Sequence, residues 1–156
     1  MKKRKQKIIL PQGFEYLDRN VGTFLERYPY IDRNVFIMMP FSNDASESIY
    51  TAISEALENH GLIPLRADNH SFASALWWNI ITYIIGSSYG VAVYEPSDQI
   101  PFNPNVSIEA GFMTALDKPV LFLTNAYLKN LPVDFSGHLF KSFSASNIKE
   151  TINNAI

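Results

Sequence analysis

From Asn34 onward the apolar positions switch repeatedly between two patterns, short unbroken runs and stretches at helical spacing. Val35-Phe36-Ile37-Met38-Met39 is an unbroken run stopped by Pro40, the pattern of a strand buried on both faces. Ser42, Asn43 and Asp44 supply helix-capping residue types. Ile49, Ala52, Ile53, Ala56 and Leu57 then recur at helical spacing up to Gly61, which ends that helix. Residues 62–65 read as a second strand, placed at the sheet edge because Pro64 has no N–H to donate. A second helix is predicted over 72–85, with Trp77, Ile80, Ile81, Ile84 and Ile85 as its apolar stripe and Gly86 as its breaker. Residues 90–94 form a third strand, 103–116 a helix and 120–124 a fourth strand. Residues 128–135 are irregular around Pro132, 138–143 predict a fifth strand, and 146–156 a closing helix.

Strand–helix–strand repetition implies parallel strands joined by right-handed crossovers. The expected architecture is a flavodoxin-like α/β three-layer sandwich around a mainly parallel five-stranded sheet, of order 2-1-3-4-5. In that order ligands bind beyond the carboxyl ends of the strands, at the switch point between strands one and three. Residues 1–33 stand outside the alternation and are expected to form a basic and amphipathic helical extension to a domain spanning 34–156. Phe14, Leu17, Val21, Phe24, Leu25 and Tyr28 recur there at helical spacing, so their stripe packs either on the chain's own domain or on another copy or partner.

Composition narrows the function. The chain has 156 residues, 47% hydrophobic and 18% charged, with a formal net charge of −2. That is a globular core with no general nucleic-acid surface. The one basic block, Lys2-Lys3-Arg4-Lys5 with Lys7, is where nucleic-acid contact would be sought; otherwise it is a solvated tail. There is no cysteine, which removes disulfides and thiolate chemistry. The three histidines lie far apart, so no metal site is expected. No cofactor and no membrane partner are expected, and a cytoplasmic location is.

The candidate chemistry gathers at the switch point. Glu109 sits near the start of an otherwise apolar helix, where a carboxylate is costly unless it is partnered, exposed or used. Such a group can stabilise an oxocarbenium-like centre or attack C1′ of a sugar. Glu95 is either a second carboxylate for acid–base work or a loop residue. Ser42 and Asn43 either cap a helix or present its N-terminus to a phosphate. Pro40 and Phe41 lie on the same loop, with Phe41 able to stack on a base. Asn103 and Asn105 are capping or ribose-binding groups, and Pro104 favours Asn103 as the cap. Arg66 and Asp68 flank the crevice after strand two, and Tyr94 ends strand three. Trp77 belongs to the core stripe, whereas Trp78 lies off it and can stack on a base. Gly111 with Ala110 is expected to let the helix approach the sheet or a ligand closely.

Two blocks resemble the prokaryotic TIR-like and nucleoside 2-deoxyribosyltransferase-like superfamily. One is Val35-Phe36-Ile37-Met38-Met39-Pro40-Phe41; the other is Asn103-Pro104-Asn105-Val106-Ser107-Ile108-Glu109-Ala110-Gly111, continuing to Lys118-Pro119-Val120. The segment Leu131-Pro132-Val133-Asp134-Phe135-Ser136-Gly137-His138-Leu139-Phe140 is similar to the ending of some bacterial TIR-like proteins. The resemblance spans about residues 34–145. It implies a flavodoxin-like fold, a ribosyl–base bond as target and Glu109 as catalytic Glu. Members cleave NAD or exchange bases on deoxyribonucleosides, and many bacterial relatives are antiviral-defence effectors activated by oligomerisation. Where many members carry an Asp at the end of strand three, this chain has Tyr94-Glu95-Pro96. The expected function is therefore an N-glycosidase acting on NAD or a related nucleotide. The alternatives are a non-catalytic nucleotide-sensing module and a nucleoside deoxyribosyltransferase. A homo-oligomer or partner contact through the N-terminal segment goes with either.

Overall fold

The computed structural model describes residues 8–40, 44–95, 103–125 and 140–156. Its centre is a five-stranded parallel sheet of order β2-β1-β3-β4-β5. The strands are β1 (Asn34–Met38), β2 (Ile63–Leu65), β3 (Tyr89–Tyr94), β4 (Val120–Asn125) and β5 (Phe140–Phe143). The helices are α1 (Asp18–Arg27), α2 (Asp44–Asn59), α3 (Leu76–Gly86), α4 (Pro104–Ala115) and α5 (Ile148–Ala155).

The sheet has two apolar faces because β1 and β3 lie inside it. Phe36, Met38, Ala92 and Tyr94 pack on one side with residues of α1, α3 and α4. Val35, Ile37, Met39, Val91 and Val93 pack on the other with residues of α2 and α5. The period-two alternation of a strand thus serves two cores at once, so the sequence runs without polar interruption. β2 is an edge strand, and Pro64 sits there opposite Val35, as a residue without an N–H requires.

The N-terminal helix folds onto its own chain. Leu17, Val21 and Phe24 are buried in the same core as α3 and α4. The Phe24 ring lies directly over Gly86, at the end of α3, where a Cβ would run into it. This explains why α3 is apolar nearly all round: one side faces the sheet and another faces α1. Gly90 allows a similar approach on β3, where a Cβ would stand 2.6 Å from the Met113 sulfur of α4. Gly111 faces open space instead. The close approach of α4 thus runs through Ala110, fully buried, and Gly90, not through Gly111 as its sequence position suggested.

Helix α3 starts at Leu76 rather than at residue 72. Asn79 explains the difference. Its side chain accepts from the Phe72 N–H at 2.7 Å and donates to the carbonyls of Ala67 (2.8 Å) and His70 (3.2 Å). Those bonds hold residues 67–75 as a loop wrapped over the first turn of α3. Phe72 drops into a cluster with Phe24, Tyr28 and Tyr83, and Asn20 of α1 donates to its carbonyl at 2.8 Å.

The opposite end of α3 is held by Lys118. After α4 the chain turns at Asp117, in the left-handed region with φ 56°, which short polar residues tolerate. The Lys118 ammonium then donates to the carbonyls of Ile84 (2.6 Å), Ile85 (2.9 Å) and Ser87 (2.6 Å). These are carbonyl groups left open by the end of a helix, and a cation there also meets the negative end of its dipole. Burial pulls the Lys118 pKa down to about 8, while its three carbonyl acceptors favour the charged form.

Candidate active site

Because all the strands are parallel, their carboxyl ends lie along one edge, and α2, α3 and α4 begin there after β1, β2 and β3. Pro40 follows β1 and is half-buried; Phe41, Ser42 and Asn43 lie outside the described residues. Tyr94 and Glu95 end β3, and α4 begins at the same edge. The topology thus brings Pro40, Tyr94, Glu95 and the first turns of α4 to the switch point between β1 and β3.

The start of α4 is fixed locally. The Asn103 side chain accepts from the Asn105 N–H at 2.9 Å, with Pro104 at the first helical position. Asn103 is therefore the cap, and the exposed Asn105 side chain projects from the first turn. Val106, Ala110 and Met113 face the sheet. Glu109 lies on the flank of that stripe, on the same side as Phe112 one turn on. Phe112 contacts Trp77 of α3 (6.2 Å between ring centroids) and Phe14 (5.8 Å). Glu109 thus faces the crevice between α3 and α4.

Glu109 is half-buried and makes no hydrogen bond or ion pair to any described residue. Burial pushes its pKa up to about 7. A buried carboxyl responds this way because its charged form loses water and gains nothing in return. The Glu95 pKa is raised as well, again through burial. Neither shift carries a contribution from the other carboxyl, so they do not titrate as a tightly coupled dyad.

Four other candidates have different surroundings from those their sequence positions suggested. Tyr94 is fully buried, and its hydroxyl lies 3.3 Å from the Ser107 hydroxyl on α4. Arg66 is buried and engaged: Nε and Nη2 donate to the two Asp68 oxygens at 2.6 and 2.8 Å, and Nη2 lies 2.8 Å from Glu47. Its guanidinium also stacks 4.1 Å from the Tyr50 ring centroid. Asp68 is thereby held rather than free. Trp78 stands in the first turn of α3 against Tyr16, ring centroids 5.1 Å apart. Trp77, expected in the core, is 40% exposed, because the first turn of α3 projects beyond the groups that cover the rest of the helix.

Sequence reasoning missed Glu47 and Tyr50, which occupy Arg66, and Ser107, which meets Tyr94. It also missed Asn79, although a lone Asn in an uncharged apolar helix was a visible signal. Among the described residues, no cluster of His, Asp or Glu has the makings of a metal site, and no helix is long and apolar enough to cross a membrane. An open groove lined by Ser48, Thr51, Ala52, Ile148 and Lys149 lies between α2 and α5, on the other face of the sheet.

No family model and no curated protein matches the chain. A solved structure does: a 2-deoxyribosyltransferase from the psychrotolerant bacterium Bacillus psychrosaccharolyticus, described as a biocatalyst for synthesis of antiviral and antitumoral nucleosides. It superposes with a TM-score of 0.51 at 13% identity, over 74% of this chain and 90% of that one. The class is thus a flavodoxin-like α/β domain with a fold shared with a 2-deoxyribosyltransferase. At that identity the likeness establishes the fold alone.

Proposed function

We propose that this chain is an enzyme that breaks the N-glycosidic bond of a nucleoside, with Glu109 as the carboxylate facing C1′. The observation that carries the reading is Glu109 itself: a half-buried carboxyl, without a partner among the described residues, at the switch-point end of α4. A structural Glu there would be expected to hold an ion pair or a cap, and the cap of α4 is Asn103. An unpartnered carboxylate is suited to a positive charge that appears only in the transition state. As nucleophile it forms a bond to C1′ while the base leaves with the bonding electron pair; an acceptor base or water then takes the sugar from Glu109.

The fold shared with a 2-deoxyribosyltransferase supports transfer of a deoxyribosyl group between bases. Asn105, Pro40 and Phe41 are the proposed contacts to sugar and base, and Glu95 is the proposed proton carrier for the leaving base. Arg66 argues for a nucleoside over a nucleotide. Among the described residues of that flank, the buried Arg66 is engaged by Asp68 and Glu47, so it offers little to a phosphate. No cofactor enters the proposal.

Cleavage of NAD is the second reading. It rests on the Asn103–Gly111 block, whose resemblance covers NAD-cleaving relatives as well. Incubating the purified protein with deoxynucleosides plus a free base, and separately with NAD, tests both. New deoxynucleoside supports transfer, and released nicotinamide supports the second reading. Binding of either ligand without product leaves the non-catalytic sensing module. An inert, non-binding protein overturns all three.

A further inference from the structure

Lys118 closes the far ends of both helices that line the crevice. Its backbone N–H donates to the Met113 carbonyl of α4 at 3.0 Å. Its ammonium donates to the carbonyls of Ile84, Ile85 and Ser87 at the end of α3. Pro119, the next residue, accepts from the Gly90 N–H of β3 at 2.9 Å. The carbonyl between these, Gly86, accepts from the buried Asn34 side chain at 3.0 Å. Two side chains therefore hold four consecutive carbonyl groups, which a helix end otherwise leaves to water or a following turn.

Donors and acceptors match in number. An ammonium has three N–H donors for its three carbonyls; a neutral amine has two, so one carbonyl is released when the proton leaves. No carboxylate shares the task. α3 and β4 carry no charged residue, α4 carries only Glu109, toward its other end, and β3 begins with Tyr89. Asp117 on the turn, and Glu26, Arg27 and Tyr28 near the end of α1, make no ion pair or hydrogen bond with the ammonium. Burial alone moves the Lys118 pKa, down to about 8.

We propose that Lys118 is a positioning residue: its charged ammonium fixes α3 along its axis against α4 and so sets the walls of the crevice that Glu109 faces. What the crevice does rests on the reaction proposed for Glu109; the placement of the helices does not. Two side chains report that placement directly. Trp77 and Trp78, the chain's two tryptophans, both stand in the first turn of α3, and Trp77 meets Phe112 of α4 edge-on at 6.2 Å. Tryptophan emission therefore reads α3 against α4 without requiring turnover.

Emission and turnover of the full chain are followed from neutral pH to well above the Lys118 pKa of about 8, in wild type, Lys118→Met, Lys118→Arg and Glu109→Gln. Wild-type emission should change with a midpoint near 8. The change should survive in Glu109→Gln. It should vanish in Lys118→Met, which has nothing to titrate, and in Lys118→Arg, which stays charged throughout. Wild-type kcat should fall about tenfold across the same range with KM little moved, as for a misplaced reacting group. Lys118→Met should show the lowered kcat already at neutral pH, and Lys118→Arg should recover part of it and lose the alkaline decline. Flat wild-type emission would overturn the inference, and so would an emission change that Lys118→Met or Lys118→Arg retains. Lys118→Met that turns over like the wild type, per folded molecule, would overturn it too, leaving Lys118 a helix cap alone. If Lys118→Met does not fold, the wild-type titration and Lys118→Arg decide. An emission change that follows Lys118 in a protein inert toward nucleosides and NAD supports the placement and overturns the reaction instead.

Discussion

The hydroxyl groups of Tyr94 and Ser107 lie 3.3 Å apart, joining the last residue of the central strand to the first turns of the helix that carries Glu109. Tyr94 is otherwise held by rings, stacking on Phe122 at 6.3 Å and meeting Phe140 edge-on at 6.1 Å. The strand end therefore meets α4 through a hydroxyl contact set on a rigid apolar base. We propose that Tyr94 positions α4 rather than touching a ligand.

Tyr94→Phe keeps the ring packing and removes the contact. The stability loss should be modest, about 0.5–1.5 kcal/mol for one hydrogen bond, or a few degrees in melting temperature. Turnover should fall by roughly tenfold with KM little changed, since small misplacements of a reacting group are costly. Turnover falling only in proportion to the folded fraction would mean that Tyr94 does not set the site.

Glu109→Gln removes the charge and keeps the shape. Turnover should drop about 10²–10³-fold, as for other lost electrostatic stabilisers. The pH dependence has a definite sign. With a pKa near 7, the carboxylate form disappears as pH falls through 7, so a nucleophilic Glu109 gives a rate that declines on the acid side. A rate that instead declines as pH rises through 7 would make Glu109 the proton donor.

Stability should move the other way. The folded pKa of about 7 lies above the ordinary 4.5, so between these values the folded chain holds more protons than the unfolded one. Stability attributable to Glu109 therefore falls as pH rises through that window. Glu109→Gln escapes this loss, so the variant should melt higher than wild type at pH above 7 and lose that advantage near pH 4.5. Thermal melts of both proteins across the window decide it; a variant that melts lower throughout points to a structural Glu.

Much of this was legible in the sequence, for physical reasons. The runs 35–39 and 90–94 admit no polar residue because both faces of β1 and β3 are buried, and Pro64 marks β2 as an edge. Asn103 could be read as a cap because Pro104 follows it. What stayed hidden depends on contacts distant in sequence. Phe72 reads as the start of the second helix, yet Asn79 captures its backbone into a loop. The periodicity of Trp77 gives the direction of its side chain but not how far its neighbours extend. Nothing near Arg66 in sequence announces that Glu47 and Tyr50 will occupy it from α2.

Arg66 offers a substitution that looks conservative and is not. Lysine cannot reproduce the paired bonds to Asp68, the contact with Glu47 and the stacking on Tyr50 together. Arg66→Lys should cost about 1–3 kcal/mol, since its partners are partly exposed and regain water. A nucleoside and its 5′-phosphate should bind the wild type with similar affinity in calorimetry. Much tighter binding of the phosphate would shift the proposal toward nucleotides.

The docking of α1 onto α3 is the last relationship open to test. Leu17, Val21 and Phe24 are each at least 97% buried, worth about 1.5–3 kcal/mol apiece. Together that is comparable with the ~5–15 kcal/mol that stabilises a whole domain. Removal of residues 1–30 should therefore leave the remainder aggregated or partly unfolded, which far- and near-ultraviolet dichroism would show. Gly86→Ala probes the same contact with one methyl group. Alanine gains up to ~1 kcal/mol of helix propensity over glycine, less at a final helical residue such as this one. Overpacking against the Phe24 ring costs about 1–3 kcal/mol, and the ring is held on its other sides by Tyr28, Phe72 and Tyr83. The clash should win, lowering the melting temperature by several degrees. Phe24→Leu, which vacates part of the ring's space, should restore some of that loss in the double variant, a coupling of the kind seen between residues in contact. Strictly additive effects of the two substitutions would mean that α1 does not sit on Gly86.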